Sequence, residues 1–170
     1  MTLQSTMLHA QQTAPLSTSG IQRSNHGRFI VLEGGDGAGK STIINYAESR
    51  LRSTLDQVTV LRPKKPDVPD GYLKSHLAKI SEILWEGGQA TPRHLIPDLH
   101  WLYLAASWYV ILDAQVVRPA LSSGSVVIAD SWTDKLLARF RIKNEALARE
   151  AQKCFSMVSR PDKVIFLDGP

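Results

Sequence analysis

Residues 29–42 of this chain read FIVLEGGDGAGKST. The apolar residues 29–32 predict a short buried strand, and residues 34–41 match the pattern G-x-x-x-x-G-K-[ST] at every fixed position. Glycine adopts backbone conformations that are closed to other residues, so successive N–H groups of such a turn can point at phosphate oxygens. The stretch therefore predicts a phosphate-binding turn between a strand and a helix.

The residues after the turn predict that helix. Ile43, Ile44, Ala47 and Leu51 recur at helical spacing. The helix directs the positive end of its dipole at a bound anion, Lys40 adds a point charge, and a serine hydroxyl can ligate Mg²⁺. We expect nucleotide phosphates to contact Gly34, Gly35, Asp36, Gly37, Ala38, Gly39, Lys40, Ser41 and Thr42.

From residue 28 onward the chain alternates β-branched runs with helical patterns. This alternation is typical of a parallel sheet with helices on both faces, so we predict the α/β class in a three-layer α/β/α arrangement. The expected strands are 29–33, 58–62, 125–130 and 163–168. The expected helices are 41–53, 72–85, 98–121, 133–140 and 144–159. The longest helix is apolar nearly all round, and we expect it to be buried.

Length, charge and cysteine count limit the classes of protein to which this chain can belong. A chain of 170 residues with 43% hydrophobic and 21% charged residues suits one α/β core. The net charge of +4 is spread along the chain, which favours small polyanionic ligands over nucleic acid. The single cysteine, Cys154, excludes an intrachain disulfide and fits a cytoplasmic protein. No apolar stretch is long enough to span a bilayer, so we expect no membrane partner.

The first 27 residues differ in composition from the rest. They are rich in Gln, Ser and Thr and contain no acidic residue, which predicts a disordered tail ahead of a domain at 28–170. An organelle transit peptide is the alternative interpretation, although Arg23 is the only basic residue before Arg28.

Two carboxylates are candidates for chemistry. Asp130 ends the apolar run VVIAD, and P-loop enzymes present such an acid to Mg²⁺ or its water shell. Asp36 lies inside the phosphate turn, where phosphates repel it unless it serves a metal, a water or an acceptor group; the alternative is a residue that merely favours the turn. We therefore take Lys40, Asp36 and Asp130 as candidate catalytic residues, with Ser41 and Asp130 as metal ligands.

These residues resemble the thymidylate kinases, a family of nucleoside monophosphate kinases. The resemblance covers roughly residues 28–170. It is carried by FIVLEGGDGAGKST at 29–42 with its carboxylate at Asp36, LYLAA at 102–106, RPAL at 118–121, the segment 126–134 and PDKVIFLD at 161–168. The resemblance implies a P-loop NTPase-type fold that transfers phosphoryl from ATP, with Mg²⁺, to a nucleoside monophosphate, with thymidylate as the default acceptor.

The resemblance also suggests how the acceptor is held. Arg62, Lys64 or Lys65 would bind its phosphate; the alternative is that these residues form a solvated basic loop. Aromatic or apolar side chains would stack on its base. The candidates for the base are Trp101, Tyr103, Leu104 and Trp108, with core packing as the alternative for each. Trp132 is a further candidate for binding the acceptor. A homodimer is a further expectation.

The chain departs from the family's pattern at several positions. Ser131 stands where the family has arginine, and Ser107 and Trp108 replace an Asp-Arg pair. Gly37 fills the loop position that some members give to a catalytic arginine, so a lid would have to supply that charge. The family continues after residues 168–170 into that lid, and we expect the domain to be incomplete after the fourth strand.

Two other functions stay open from the sequence. A deoxynucleoside kinase would share the loop but act on an unphosphorylated sugar, which is consistent with the missing arginines. A catalytically silent nucleotide-binding module is favoured by Ser131 and the missing lid. The five histidines show no metal-ligand spacing, which disfavours a zinc enzyme.

Removing residues 1–26 tests the predicted tail. We expect the melting temperature and the affinity for ATP with Mg²⁺ to stay unchanged, because the tail has too little apolar surface to order itself. Calorimetry of the shortened and full-length chains measures both quantities. A large fall in melting temperature would show that the tail is docked on the domain.

Overall fold

Four parallel strands form one sheet in this computed structural model, which describes residues 26–86 and 92–168 and only the backbone of Arg93. The strands are β1 (Arg28–Gly34), β2 (Val58–Leu61), β3 (Val126–Asp130) and β4 (Lys163–Leu167), in the order β2-β3-β1-β4. The predicted α/β class with a parallel sheet is confirmed. The predicted tail lies outside the described residues except for its last two positions.

Helices connect the strands. They are α1 (Lys40–Arg52), α2 (Gly71–Ser81), α3 (Asp98–Leu112), α4 (Arg118–Ser122), α5 (Asp134–Lys143) and α6 (Glu145–Phe155). A 3-10 turn spans Arg93–Leu95, and π-helical turns span Glu82–Glu86 and Asp113–Val117.

The alternating side chains of β1 divide the core between the two faces of the sheet. Leu32 packs with Ile44 of α1 on one face. Phe29 and Val31 point the other way, into the larger cluster that α3 and α6 cover. Both faces of β1 are thus buried, which explains why residues 29–32 are continuously apolar.

The long helix predicted over 98–121 is interrupted. A π-helical turn at Asp113–Val117 separates α3 from α4, and Pro119 follows directly. Proline has no N–H and its ring clashes with the carbonyl group four residues earlier, so an ordinary α-helix cannot pass through this position unchanged. The wider turn ahead of Pro119 accommodates it.

The prediction that this helix is buried all round was wrong for one face. Leu102, Trp108 and Leu112 are fully buried, as expected. Leu99 and Tyr103 are about half exposed, however, at 47% and 50%. The apolar sequence did not reveal this because α3 packs against the sheet and α6 with only part of its surface. Tyr103 lies at the edge of this contact, where its hydroxyl donates to Glu150 of α6 at 3.2 Å.

Two expectations from composition concern membranes and the cysteine. Among the described residues, no helix has the length and apolar character to cross a bilayer. Cys154 is buried, and burial raises the pKa of its thiol. The protonated thiol is a poor nucleophile, which fits a packing role.

Gly27 → Ala should destabilise the fold at the entrance to β1. The Gly27 N–H donates to the Leu121 carbonyl at 3.0 Å. A Cβ there would lie 2.9 Å from the Leu121 Cα and closer still to the Ser125 carbonyl oxygen. Backbone atoms cannot rotate away, so we expect a loss of about 1–3 kcal/mol in the free energy of unfolding, measured with urea.

Gly71 → Ala is the matched control. Gly71 begins α2, and an added Cβ there meets nothing within 4 Å. Its free energy of unfolding should stay unchanged or rise slightly, because alanine favours helix. Equal stability of Gly27 → Ala and Gly71 → Ala would contradict the packing argument.

Candidate active site

The glycine-rich turn forms an open cradle between β1 and α1. Gly37 and Gly39 have φ angles of 86° and 81°, in the left-handed region that favours glycine. A Cβ at Gly35, Gly37 or Gly39 would meet nothing within 4 Å. The glycines therefore serve backbone conformation and leave space in front of the turn, and phosphate groups fit that space.

Lys40 closes one side of this cradle. Its Nζ donates to the carbonyl oxygens of Gly34 and Gly35 at 3.1 and 2.7 Å. Gly39 caps α1 without a side-chain hydrogen bond, and the first turn of α1 contains no acidic residue. The N–H groups at this helix end are thus left for an anion.

Ser41 and Asp130 meet at the carboxyl end of the sheet. Parallel pairing sets Asp130 opposite Leu32, two residues before the turn begins at Gly34. The Ser41 Oγ lies 3.5 Å from Asp130 Oδ2. A hydroxyl and a carboxylate are the oxygen donors that Mg²⁺ takes together with phosphate oxygens and water.

The chain turns sharply after Asp130. Ser131 has a φ of 67°, and its N–H donates to the Leu32 carbonyl at 2.9 Å. The Trp132 N–H donates to Glu33 Oε1 at 2.9 Å. The Trp132 ring is buried edge-to-face against Phe29. Trp132, expected to bind the acceptor, is thus fixed in the core at the back of the site.

Glu33 is a functional candidate that the sequence analysis missed. Its side chain is buried, and burial raises the pKa of its carboxyl above the ordinary value. The hydrogen bonds from the Trp132 N–H and the Ser131 side chain oppose this rise. An acidic residue directly after a buried apolar run was the available signal. Glu33 fixes the turn that follows Asp130.

A cavity of about 610 Å³ opens in front of the turn. Its positively charged lining residues are Lys40, Arg62, Lys64, Lys65, Lys135 and Arg139, and its acidic lining residues are Asp36 and Asp130. Such an excess of positive charge within a cleft attracts anions. The cavity suits a polyanionic ligand.

Asp36 lies at the exposed mouth of this cavity. Its Oδ1 accepts from the Nζ of Lys135 on α5 at 3.2 Å, and its side chain is 88% exposed. The hydrogen bond and charge of Lys135, with weaker effects of Lys64 and Lys40, lower the pKa of Asp36. Asp36 is therefore an ionised carboxylate tied to α5, and Lys135 is a second residue that the sequence analysis missed.

The three basic candidates after β2 all line the cavity. The Arg62 guanidinium donates to Asn45 Oδ1 at 2.8 Å and lies 3.8 Å from Glu48, so α1 orients it. The Lys64 ammonium lies 5.7 Å from the centre of the Trp85 ring, at cation–π distance. The structure brings Arg62, Lys64 and Lys65 together and does not single one out.

A second cavity, of about 620 Å³, adjoins the first and shares Trp85, Leu136 and Arg139 with it. Trp101 lines only this second cavity. Leu104 packs against the main core, and Trp108 is fully buried. The aromatic and apolar side chains predicted to bind the acceptor are thus dispersed. Of these predicted residues, only Trp132 lines the first cavity.

Comparison with known proteins identifies a family to which the sequence is similar. Residues 32–170 match the family described as thymidylate kinase. Relatives include the thymidylate kinase of Pseudomonas fluorescens strain SBW25, 39% identical over 112 residues that cover 66% of this chain and 48% of the relative. The thymidylate kinase of Dehalococcoides mccartyi strain CBDB1 is 31% identical over 82% of this chain and 64% of the relative. The chain spans about half the length of the Pseudomonas relative.

One solved structure is similar in fold. The crystal structure of thymidylate kinase from Ehrlichia chaffeensis superposes with a TM-score of 0.61 over 84% of this chain and 72% of that chain. The two sequences are 21% identical over the match. This similarity shows that the two chains share a fold.

Glu33 → Gln should make the free energy of unfolding less dependent on pH. A carboxyl whose pKa is raised by folding binds its proton more tightly in the folded state. The stability of the original chain therefore falls as pH rises from about 4.5 through the raised pKa. Glutamine keeps an oxygen acceptor for the Trp132 N–H but carries no charge.

Urea unfolding of both proteins at pH 4, 6 and 8 measures the effect. We expect Glu33 → Gln to gain stability relative to the original chain as pH rises. Glu82 → Gln, which neutralises an exposed carboxylate, is the control. Its difference in free energy of unfolding from the original chain should be the same at all three pH values. A flat difference for Glu33 → Gln as well would contradict the role of burial at Glu33.

Proposed function

We propose, since this chain belongs to the thymidylate kinase family, that it transfers a phosphoryl group from ATP, with Mg²⁺, to a nucleoside monophosphate, with thymidylate as the default acceptor. One observation carries the proposal. The glycine cradle, the Lys40 ammonium and the Ser41–Asp130 oxygen pair converge on one cationic cavity at the carboxyl end of the parallel sheet. Open α/β sheets bind ligands at that edge.

Each group has a role in this reaction. The backbone of residues 34–42 would hold the ATP phosphates, and Ser41 and Asp130 would hold Mg²⁺, which neutralises charge on the phosphate oxygens when bound. The Lys40 ammonium now bonds to neutral carbonyl oxygens of Gly34 and Gly35. Phosphate oxygens are stronger partners because they are charged, so Lys40 would exchange these bonds for contacts with the transferred group.

A second candidate function is phosphoryl transfer to an unphosphorylated deoxynucleoside. It is favoured by Ser131, which places no guanidinium beside Asp130 at the cavity. Transfer to thymidine without transfer to thymidylate would decide for this function. Binding of ATP without turnover of any nucleoside or monophosphate would decide for a silent binding module.

A cytoplasmic location and a homodimer complete the proposal. Both rest on family membership, and the homodimer also fits the half-exposed apolar stripe on α3. Sedimentation of the purified chain measures the oligomeric state directly.

Lys40 → Ala should abolish phosphoryl transfer and weaken binding of ATP with Mg²⁺ by tenfold or more, because a charge-assisted hydrogen bond contributes about 1.5–3 kcal/mol. Its melting temperature should change little, because Lys40 contacts carbonyl oxygens of the turn and no core side chain. Calorimetry with ATP and a coupled assay of ADP release measure both effects.

Lys74 → Ala is the control, since Lys74 is an exposed lysine on α2 that lines neither cavity. It should bind ATP as the original chain does. If Lys40 → Ala and Lys74 → Ala bind ATP equally well, the phosphate-binding role of the turn is refuted.

A further inference from the structure

Helix α5 presents two positive charges to the candidate active site. Lys135 and Arg139 are four residues apart, so they lie on the same face of the helix. Both line the first cavity together with the phosphate turn and Asp130, and Arg139 also lines the second cavity. The basic residues that follow β2 line the same cavity.

Ion pairing and cavity lining together distinguish Arg139 from the other basic residues of α5. Lys143 pairs with Asp98, and Lys135 pairs with the highly exposed Asp36. Arg139 pairs with no carboxylate among the described residues, although it lines a cavity. An ion pair as exposed as Lys135–Asp36 is weak, so Lys135 can exchange its partner for a bound anion at little cost.

The surroundings of Arg139 make its guanidinium a suitable phosphate ligand. Tyr109 and Leu136 line the same cavity and give its wall an apolar part. A guanidinium at the wall of a partly apolar cleft binds phosphate oxygens through two parallel hydrogen bonds. Ser131, which also lines the cavity, offers only a hydroxyl group and no guanidinium.

We infer that Arg139, assisted by Lys135, binds the phosphate group of the acceptor, in place of the arginine that position 131 lacks. The acceptor is then a phosphomonoester, and an unphosphorylated nucleoside is a poor ligand. The inference rests on the proposed function, because it concerns the acceptor of that reaction.

Titration calorimetry tests the inference on the full chain. The probes are the four deoxynucleoside 5′-monophosphates and the corresponding nucleosides, with Mg²⁺, in the presence and absence of a non-hydrolysable ATP analogue. The variants are Arg139 → Ala, Lys135 → Ala and the control Arg141 → Ala, which removes one positive charge from α5 at a position that lines neither cavity.

We expect the original chain to bind at least one monophosphate more tightly than its nucleoside. Arg139 → Ala should weaken that binding by about tenfold to a hundredfold, as expected for the loss of a bidentate charged contact, and Lys135 → Ala should weaken it less. Arg141 → Ala should change it by less than about twofold, since its charge is screened by solvent. Affinity for the nucleoside should be the same in all four proteins.

Three results would overturn the inference. In the first, the original chain binds no monophosphate more tightly than its nucleoside. In the second, Arg139 → Ala binds monophosphates as tightly as the original chain. In the third, Arg139 → Ala loses as much affinity for the nucleoside as for the monophosphate. Failure of the ATP analogue to bind the original chain would instead refute the proposed function. Normal binding of the analogue together with any of the three results would refute the α5 phosphate site alone.

Discussion

The register between β1 and β3 is the constraint on which the site depends. Because the strands are parallel and Leu32 pairs with Asp130, the phosphate turn and the carboxylate emerge side by side. A shift by one residue would turn Asp130 to the other face of the sheet and would bury polar groups in the core. The apolar residues on both faces of β1 fix this register, so the same packing that stabilises the sheet also places Ser41 within 3.5 Å of Asp130.

The cavity combines this rigid edge with charges from separate elements. Lys40 comes from the start of α1, Lys64 from the segment after β2, and Arg139 from α5. None of these charges contributes to the core, so their clustering weakens the fold through mutual repulsion unless an anion binds. A polyanionic ligand that binds to these positive charges would therefore stabilise this end of the sheet.

Sequence patterns predicted the elements whose structure depends on residues close together in the chain. The turn after β1 and the strand that ends at Asp130 were recognisable from residue type and spacing. The π-helical turn was not predicted, although the chemistry of Pro119 accounts for it. The burial of Glu33 and the position of Arg139 at the cavity were not recognisable, because both depend on which elements meet in three dimensions. Arg139 looks like any exposed residue on an amphipathic helix until α5 is placed against the phosphate turn.

The turn at Ser131 positions the neighbouring residues without using the side chain of residue 131. A serine with a φ of 67° costs about 1 kcal/mol or more, and such strain persists only where the surroundings fix it. Here the Leu32 carbonyl accepts the Ser131 N–H, and the Glu33 carboxylate accepts the Trp132 N–H. Neither contact involves the side chain expected at position 131. The strained turn therefore fixes the placement of Asp130 and Trp132 through contacts that do not depend on the side chain of residue 131.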